Sequence, residues 1–167
     1  MAVSIYLAAM KGKVLYKKLV EQLAAVYDTA EAGSMVNLLF ERFTGYSRSA
    51  LLMNPDLIIS AEQQADLDKA LQQLLRHEPV QYITGEAWFY NLKFWVTPAV
   101  LIPRPETEEL VAELLQFLST QNNPSVLDIG TGSGCIPIAT RKNNASAMVT
   151  AIDISEDALQ VARQNAL

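Results

Sequence analysis

Ten residues, Val126-Leu127-Asp128-Ile129-Gly130-Thr131-Gly132-Ser133-Gly134-Cys135, restrict what this chain can fold into more than any others. An apolar run ends on a carboxylate and passes into three glycines at alternate positions. This is the pattern of a buried strand turning sharply into a helix, because glycine takes left-handed backbone conformations at little cost. A second strand-like run, Ala147-Met148-Val149-Thr150-Ala151-Ile152, follows and ends on a second acid, Asp153. Two such strands with a helix between them, and another helix opening after Ser155, predict the start of a parallel α/β sheet. A nucleoside ligand suits the layout: backbone bare enough for close approach, and a carboxylate at the next strand tip for a ribose diol.

The glycine spacing discriminates among nucleoside ligands. A dinucleotide turn would read G-x-G-x-x-G, and the third position here falls on Cys135, neither Gly nor Ala. No Gly-Lys-Ser/Thr follows, so a P-loop is excluded. S-adenosylmethionine carries no phosphate and has an ammonium group at one end. Asp128, two residues before Gly130, fits such a ligand and would repel a pyrophosphate. Asp153, 23 residues beyond Gly130, can accept charge-assisted hydrogen bonds from ribose hydroxyls. Either acid alone would read as a cap or a solvated loop residue. At matched strand ends they point to a methyl-donor site, with a nicotinamide site as the alternative. Cys135 reads as a small residue that lets helix and strand approach, and Pro137 falls in the first helical turn, where it is tolerated.

The rest of the chain is organised differently. Residues 1–77 read as all-helical: Leu15, Leu19, Leu23 and Val26 or Tyr27 recur at helical spacing, as do Met35, Leu38, Leu39 and Phe43. A short helix is expected from Ser47 to Asn54-Pro55. Ser60-Ala61-Glu62-Gln63 reads as a capping box opening a helix with Leu67, Leu71, Leu74 and Leu75 on one face, stopped at Glu78-Pro79. Four short amphipathic helices predict a compact bundle. Between residues 80 and 103, Trp88, Tyr90, Leu92, Phe94 and Val96 alternate, predicting a hairpin that turns at Tyr90-Asn91 and packs between two domains. Pro105 suits the first turn of a helix, Glu106, Glu108 and Glu109 suit its positive end, and Leu110, Val111, Leu114, Leu115 and Leu118 form its stripe. Gln121-Asn122-Asn123-Pro124 is a polar linker.

Bulk properties narrow the function. Half of the 167 residues are hydrophobic and 19% are charged, as in a globular protein with a core. A net charge of −5 argues against gripping a phosphate backbone, so no direct nucleic-acid partner is expected. One cysteine and one histidine, Cys135 and His77, offer neither a disulfide nor a ligand-spaced metal site. No stretch has the length of a membrane span, and Met1 to Met10 lacks the basic flank and cleavage site of a secretory leader. A cytoplasmic protein is expected.

Four segments in this order resemble a known family. They are Pro79-Val80-Gln81-Tyr82-Ile83-Thr84-Gly85, Phe89-Tyr90-Asn91-Leu92-Lys93-Phe94, Leu101-Ile102-Pro103-Arg104-Pro105-Glu106-Thr107-Glu108, and Asp128 to Cys135. Together they are similar to the HemK-type (PrmC) glutamine N5-methyltransferases that act on bacterial peptide-chain release factors. The resemblance runs from about residue 79 to the end. The glycine turn alone would indicate only a class I methyltransferase. The resemblance implies a helical substrate-docking domain (1–77), a hairpin hinge (78–103) and the beginning of a Rossmann-like methyltransferase domain (104–167). It implies S-adenosylmethionine held by Asp128, Gly130, Thr131, Gly132, Ser133, Gly134 and Asp153, with Arg104 and Thr107 nearby. Asn91 stands where the family usually has glycine, and asparagine tolerates the left-handed conformation. The family's catalytic Asn-Pro-Pro-Tyr, understood to orient the substrate amide, does not occur here, so no catalytic residue is assigned. The expectation is an N-terminal fragment of a release-factor methyltransferase, inactive alone, with methylation of DNA adenine or other amides, or a non-enzymatic docking module, as alternatives. The region after residue 120 is expected to be loosely packed, self-associated or completed by further chain, because two parallel strands leave a face and both edges uncovered.

Overall fold

The computed structural model describes residues 10–167. The reading of Met1 to Met10 as lacking a leader lies, save for Met10, outside the described residues. The chain divides into two compact units at Thr84–Gly85.

The first unit opens with strand β1 (Met10–Lys11) and helix α1 (Gly12–Leu23), then helices α2 (Thr29–Thr44) and α3 (Arg48–Met53). Strand β2 (Ile58–Ile59), helix α4 (Ala61–Leu74) and a single turn, α5 (Val80–Thr84), complete it. Helix starts follow the caps written in the sequence. Asp28 accepts hydrogen bonds from the Ala30 and Glu31 N–H groups at 2.9 and 3.0 Å. Ser47 accepts from Ala50. Ser60 and Gln63 form the reciprocal pair expected of a capping box, at 3.2 and 3.0 Å. The core is continuous and apolar: Leu15, Leu19 and Leu23 meet Val36, Leu39 and Phe40, with Leu67, Leu71 and Leu74 from α4. Each fully buried side chain of this size contributes about 2 kcal/mol.

Several expectations for this segment are corrected. It is not wholly helical, since β1 and β2 pair antiparallel, Met10 opposite Ile59 and Lys11 opposite Ile58. α1 stops at Leu23, so Val26 and Tyr27 lie beyond it: Val26 is exposed, and the Tyr27 hydroxyl donates to the Leu74 carbonyl at 2.8 Å. On α2 the buried stripe is Ala32, Val36, Leu39 and Phe40, and Leu38 is exposed. α4 ends before Glu78-Pro79. His77 takes a left-handed φ of 62°, its N–H bonds the Leu74 carbonyl, and Glu78 N–H reaches back to Gln73 at 3.1 Å. This is a Schellman ending with histidine in the glycine position. Residues 80–84 are helical, so the change to strand begins at Gly85.

The second unit holds strands β3 (Glu86–Phe89) and β4 (Leu92–Trp95), helix α6 (Pro105–Leu118), strand β5 (Ser125–Ile129) and helix α7 (Cys135–Asn143). Strand β6 (Met148–Ile152) and helix α8 (Glu156–Asn165) follow. The hairpin turns where expected, with Tyr90 and Asn91 at φ 50° and 60°, both positive as a type I′ turn requires. Glu108 accepts the Tyr90 N–H at 2.9 Å and so ties the turn to α6. Phe89 and Phe94 pack with Val111, Cys135 and Ala139, so the hairpin is built into the second unit's own core. Trp88 points to solvent, with the Lys93 ammonium 5.6 Å from its ring centre, and Leu110 of α6 is exposed too.

β5 and β6 pair in parallel, Val126 opposite Val149 and Ile129 opposite Ile152. The strand at 126–129, read as buried, is not: Leu127 is 58% and Ile129 74% exposed. Its expected apolar character is present, but among the described residues no layer covers one face of the two-stranded sheet. Among the described residues, no helix is long and apolar enough to cross a membrane and no acid, histidine and cysteine group is placed to hold a metal.

Candidate functional site

The site is the turn from β5 into α7, together with the tip of β6. Gly130, Gly132 and Gly134 have φ of 81°, 54° and 77°. These are conformations that cost a side-chain-bearing residue about 1–2 kcal/mol, so the alternating glycines are a geometric requirement. At Gly130 and Gly132 a Cβ would meet nothing within 4 Å. The loop therefore presents bare backbone to open space. At Gly134 a Cβ would press to 3.2 Å on Ala162, which brings α8 close against the loop.

Backbone hydrogen bonds fix the loop's course. Gly130 and Thr131 N–H groups donate to the Ile152 carbonyl at 2.8 and 3.0 Å, joining the loop to the end of β6. Gly134 N–H donates to the Thr131 carbonyl at 2.9 Å. Asp153 does more than the sequence suggests. One oxygen accepts Gly132 N–H at 2.8 Å, and the other accepts Ser155 N–H at 2.9 Å. The Ser155 and Gly132 N–H groups together hold its carboxyl below the ordinary carboxylate range. Two of roughly four lone-pair positions are thus engaged, and the others remain able to accept from a diol.

Four buried side-chain oxygens on β5, the loop and α7 lack hydrogen-bond partners. Asp128 Oδ2, Thr131 Oγ1, Ser133 Oγ and Thr140 Oγ1 are buried and form no hydrogen bond. Buried polar groups are rarely left unsatisfied unless a ligand, ion or water meets them. With the bare backbone at Gly130 and Gly132, the side-chain oxygens of Asp128, Thr131 and Ser133 offer polar groups to a ligand at this turn. Burial pushes the Cys135 thiol up, which opposes any role as a reactive thiolate.

The structure thus brings Asp128, Gly130, Thr131, Gly132, Ser133, Gly134 and Asp153 into one locus. Arg104 and Thr107 stand apart from it in bonding: Arg104 is exposed at the N-cap of α6, and Thr107 N–H bonds the Arg104 carbonyl. Neither side chain hydrogen-bonds the loop among the described residues. One participant escaped sequence reasoning. Asn165, at the end of α8, donates to the Ser133 carbonyl at 2.9 Å and also bonds both backbone groups of Trp95. Its only sequence signal is a polar residue four positions after buried Val161, on the apolar stripe of its helix.

Comparison with known proteins divides the chain at a similar place. The PrmC N-terminal domain family matches residues 15–85, and the ribosomal protein L11 methyltransferase (PrmA) family matches residues 105–167. A release factor glutamine methyltransferase of Flavobacterium psychrophilum is 42% identical over 151 residues, which is 89% of this chain and 53% of that protein. Proteins of the same name from Streptococcus pneumoniae (42% identical, 94% of this chain, 55% of theirs) and Bacillus subtilis (41%, 81% and 50%) align similarly. The chain spans about half the length of the curated relatives it matches.

Proposed function

We propose that this chain, 42% identical to release factor glutamine methyltransferases over about half of their length, serves the same reaction: transfer of a methyl group to a glutamine side-chain amide. Its second unit supplies the first part of an S-adenosylmethionine site, and its helical unit contacts the protein substrate, a cytoplasmic peptide-chain release factor. The acceptor is the glutamine of a Gly-Gly-Gln loop. The observation that carries this reading is the bare glycine turn between two strand-end acids, with side-chain oxygens of Asp128, Thr131 and Ser133 left without partners.

When bound, S-adenosylmethionine supplies an electrophilic methyl on a sulfonium centre. Asp128 attracts the cationic amino-acid end, Gly130 and Gly132 leave room for the ligand against the main chain, and Asp153 accepts from the ribose hydroxyls while anchoring Gly132. Thr131 and Ser133 offer hydroxyls that otherwise go unpaired. Arg104 and Thr107 are assigned a flanking role at the start of α6. An amide nitrogen is a poor nucleophile and depends on positioning, and no residue of this chain is assigned that task.

Calorimetric titration of the gene product with S-adenosylmethionine and, separately, NADH tests the ligand. Binding of the methyl donor alone is expected, and binding of NADH alone overturns the reading. Incubation with labelled donor, release factor and adenine-containing DNA then tests the acceptor. Label is expected on the release-factor glutamine, and label on DNA alone would reassign the substrate.

A further inference from the structure

We propose that Asn165 is a positioning residue for the cofactor loop, pinning the peptide that enters Gly134 to the outer edge of β4. The inference rests on the reading of that loop as a methyl-donor site. Its starting point is the hairpin register. A two-residue turn makes Phe89 and Leu92 a hydrogen-bonded pair, so Ala87–Phe94 is bonded, while Trp88–Lys93 and Glu86–Trp95 are not. The N–H and C=O of Trp95 therefore point away from β3, as an unpaired sheet edge. Asn165 occupies that edge like one residue of a neighbouring strand. Its Oδ1 accepts Trp95 N–H at 2.7 Å and its Nδ2 donates to the Trp95 carbonyl at 2.9 Å. The second Nδ2 hydrogen goes to the Ser133 carbonyl at 2.9 Å. Both donors of the carboxamide are used, one on the hairpin and one on the loop.

The loop needs such a restraint. Three glycines in five residues give it large conformational freedom to lose on ordering. Its first part is held by Ile152 and its middle by Asp153, whereas the Ser133 carbonyl is held from outside the loop by Asn165. That bond orients the peptide plane through which the chain enters α7. It also makes the loop's geometry depend on the hairpin, 70 residues away from Asn165 in sequence.

Three variants of the full chain test this. Asn165→Ala removes every bond. Asn165→Asp keeps the shape and the acceptor for Trp95 N–H but can donate to neither the Ser133 nor the Trp95 carbonyl. Gln164→Ala, at an exposed neighbouring position, is the control. Amide exchange without ligand is expected to quicken by roughly tenfold at both Trp95 and Gly134 in Asn165→Ala, but at Gly134 alone in Asn165→Asp. A merely structural loss would speed exchange throughout α8 and not separate the two sites. S-adenosylmethionine should bind both Asn165 variants roughly tenfold more weakly and the control unchanged. Should Asn165→Ala fail to fold, the Gly134-specific effect in Asn165→Asp decides. Unchanged Gly134 exchange in Asn165→Asp, or unchanged affinity in both variants, overturns the proposal. If the unsubstituted protein binds no S-adenosylmethionine, the ligand reading falls, and the exchange pattern still decides whether Asn165 holds the loop.

Discussion

In the proposed site Asp153 joins two tasks in one side chain, and their separation can be measured. Its oxygens hold Gly132 N–H and Ser155 N–H, so removing the carboxylate loosens the loop as well as subtracting the proposed ribose acceptor. Asp153→Ala should weaken S-adenosylmethionine binding by about 10–100-fold, in line with losing charge-assisted bonds. Titration by carboxyl NMR gives an independent check. Because the folded carboxyl is held below its ordinary value, the stabilisation is present above the unfolded-state value and is lost as pH falls through the lowered one. The Gly132 amide shift should therefore move in acid, with a midpoint below that of an unperturbed aspartate. Gly132→Ala probes the other half of the site. Its φ of 54° costs alanine about 1–2 kcal/mol, yet the new Cβ meets no protein atom within 4 Å. Donor affinity should fall by more than thermal stability does, since the methyl group intrudes only on the space proposed for the ligand. Equal losses, read from calorimetry and thermal melts, would show that the loop is merely structural.

At the scale of elements, local chemistry was legible and partner choice was not. The Tyr90-Asn91 turn, Pro105 opening α6, Ser60 with Gln63, and Ser155 capping α8 all state their conformation through neighbours within four residues. The glycine loop is legible for the same reason. Trp88, Leu38 and Leu110 were misread because periodicity marks a face without saying whether anything packs on it. The β1–β2 pair joins two-residue segments across a long separation and has no periodic signature. Asn165 was invisible as a site residue because its partners, Trp95 and Ser133, are distant in sequence. His77 ends α4 in a conformation that a sequence would assign to glycine. Gly85 shows what a local rule misses and a structure supplies. It has φ of 75°, and a Cβ there would lie 2.4 Å from the Trp95 ring. Gly85→Ala should destabilise the second unit by about 2–4 kcal/mol, from left-handed strain plus overpacking. Urea unfolding followed by Trp95 fluorescence in a Trp88→Phe background would measure it.

Considered as a whole, the molecule carries two units with unequal means of staying folded. In the first, Leu15, Leu19, Leu23, Val36, Leu39, Phe40, Leu67, Leu71 and Leu74 are almost wholly removed from water and belong to one cluster. The second unit's cluster is smaller, centred on Phe89, Phe94, Val111, Cys135 and Ala139. Its β5–β6 pair leaves Leu127, Ile129, Met148 and Ile152 at 58%, 74%, 67% and 46% exposure. A two-stranded sheet without a covering layer is marginal, because its apolar face contributes little transfer free energy and its outer edges remain unpaired. Hydrogen bonds between β5 and β6 should therefore open locally at a small fraction of the cost of opening α1, α2 or α4. In the chain by itself, amides of residues 126–129 and 148–152 should exchange orders of magnitude faster than those of Leu19, Phe40 and Leu71. Urea should unfold the second unit first, giving a two-step transition, whereas a single cooperative domain gives one. The exposed face also makes association between copies favourable, so exchange in β5–β6 should slow as protein concentration rises. Slow, uniform exchange through both strands in a dilute monomer would contradict this, and would mean that Asp153, Asn165 and the loop bonds they make stabilise the strand pair more than its open face weakens it.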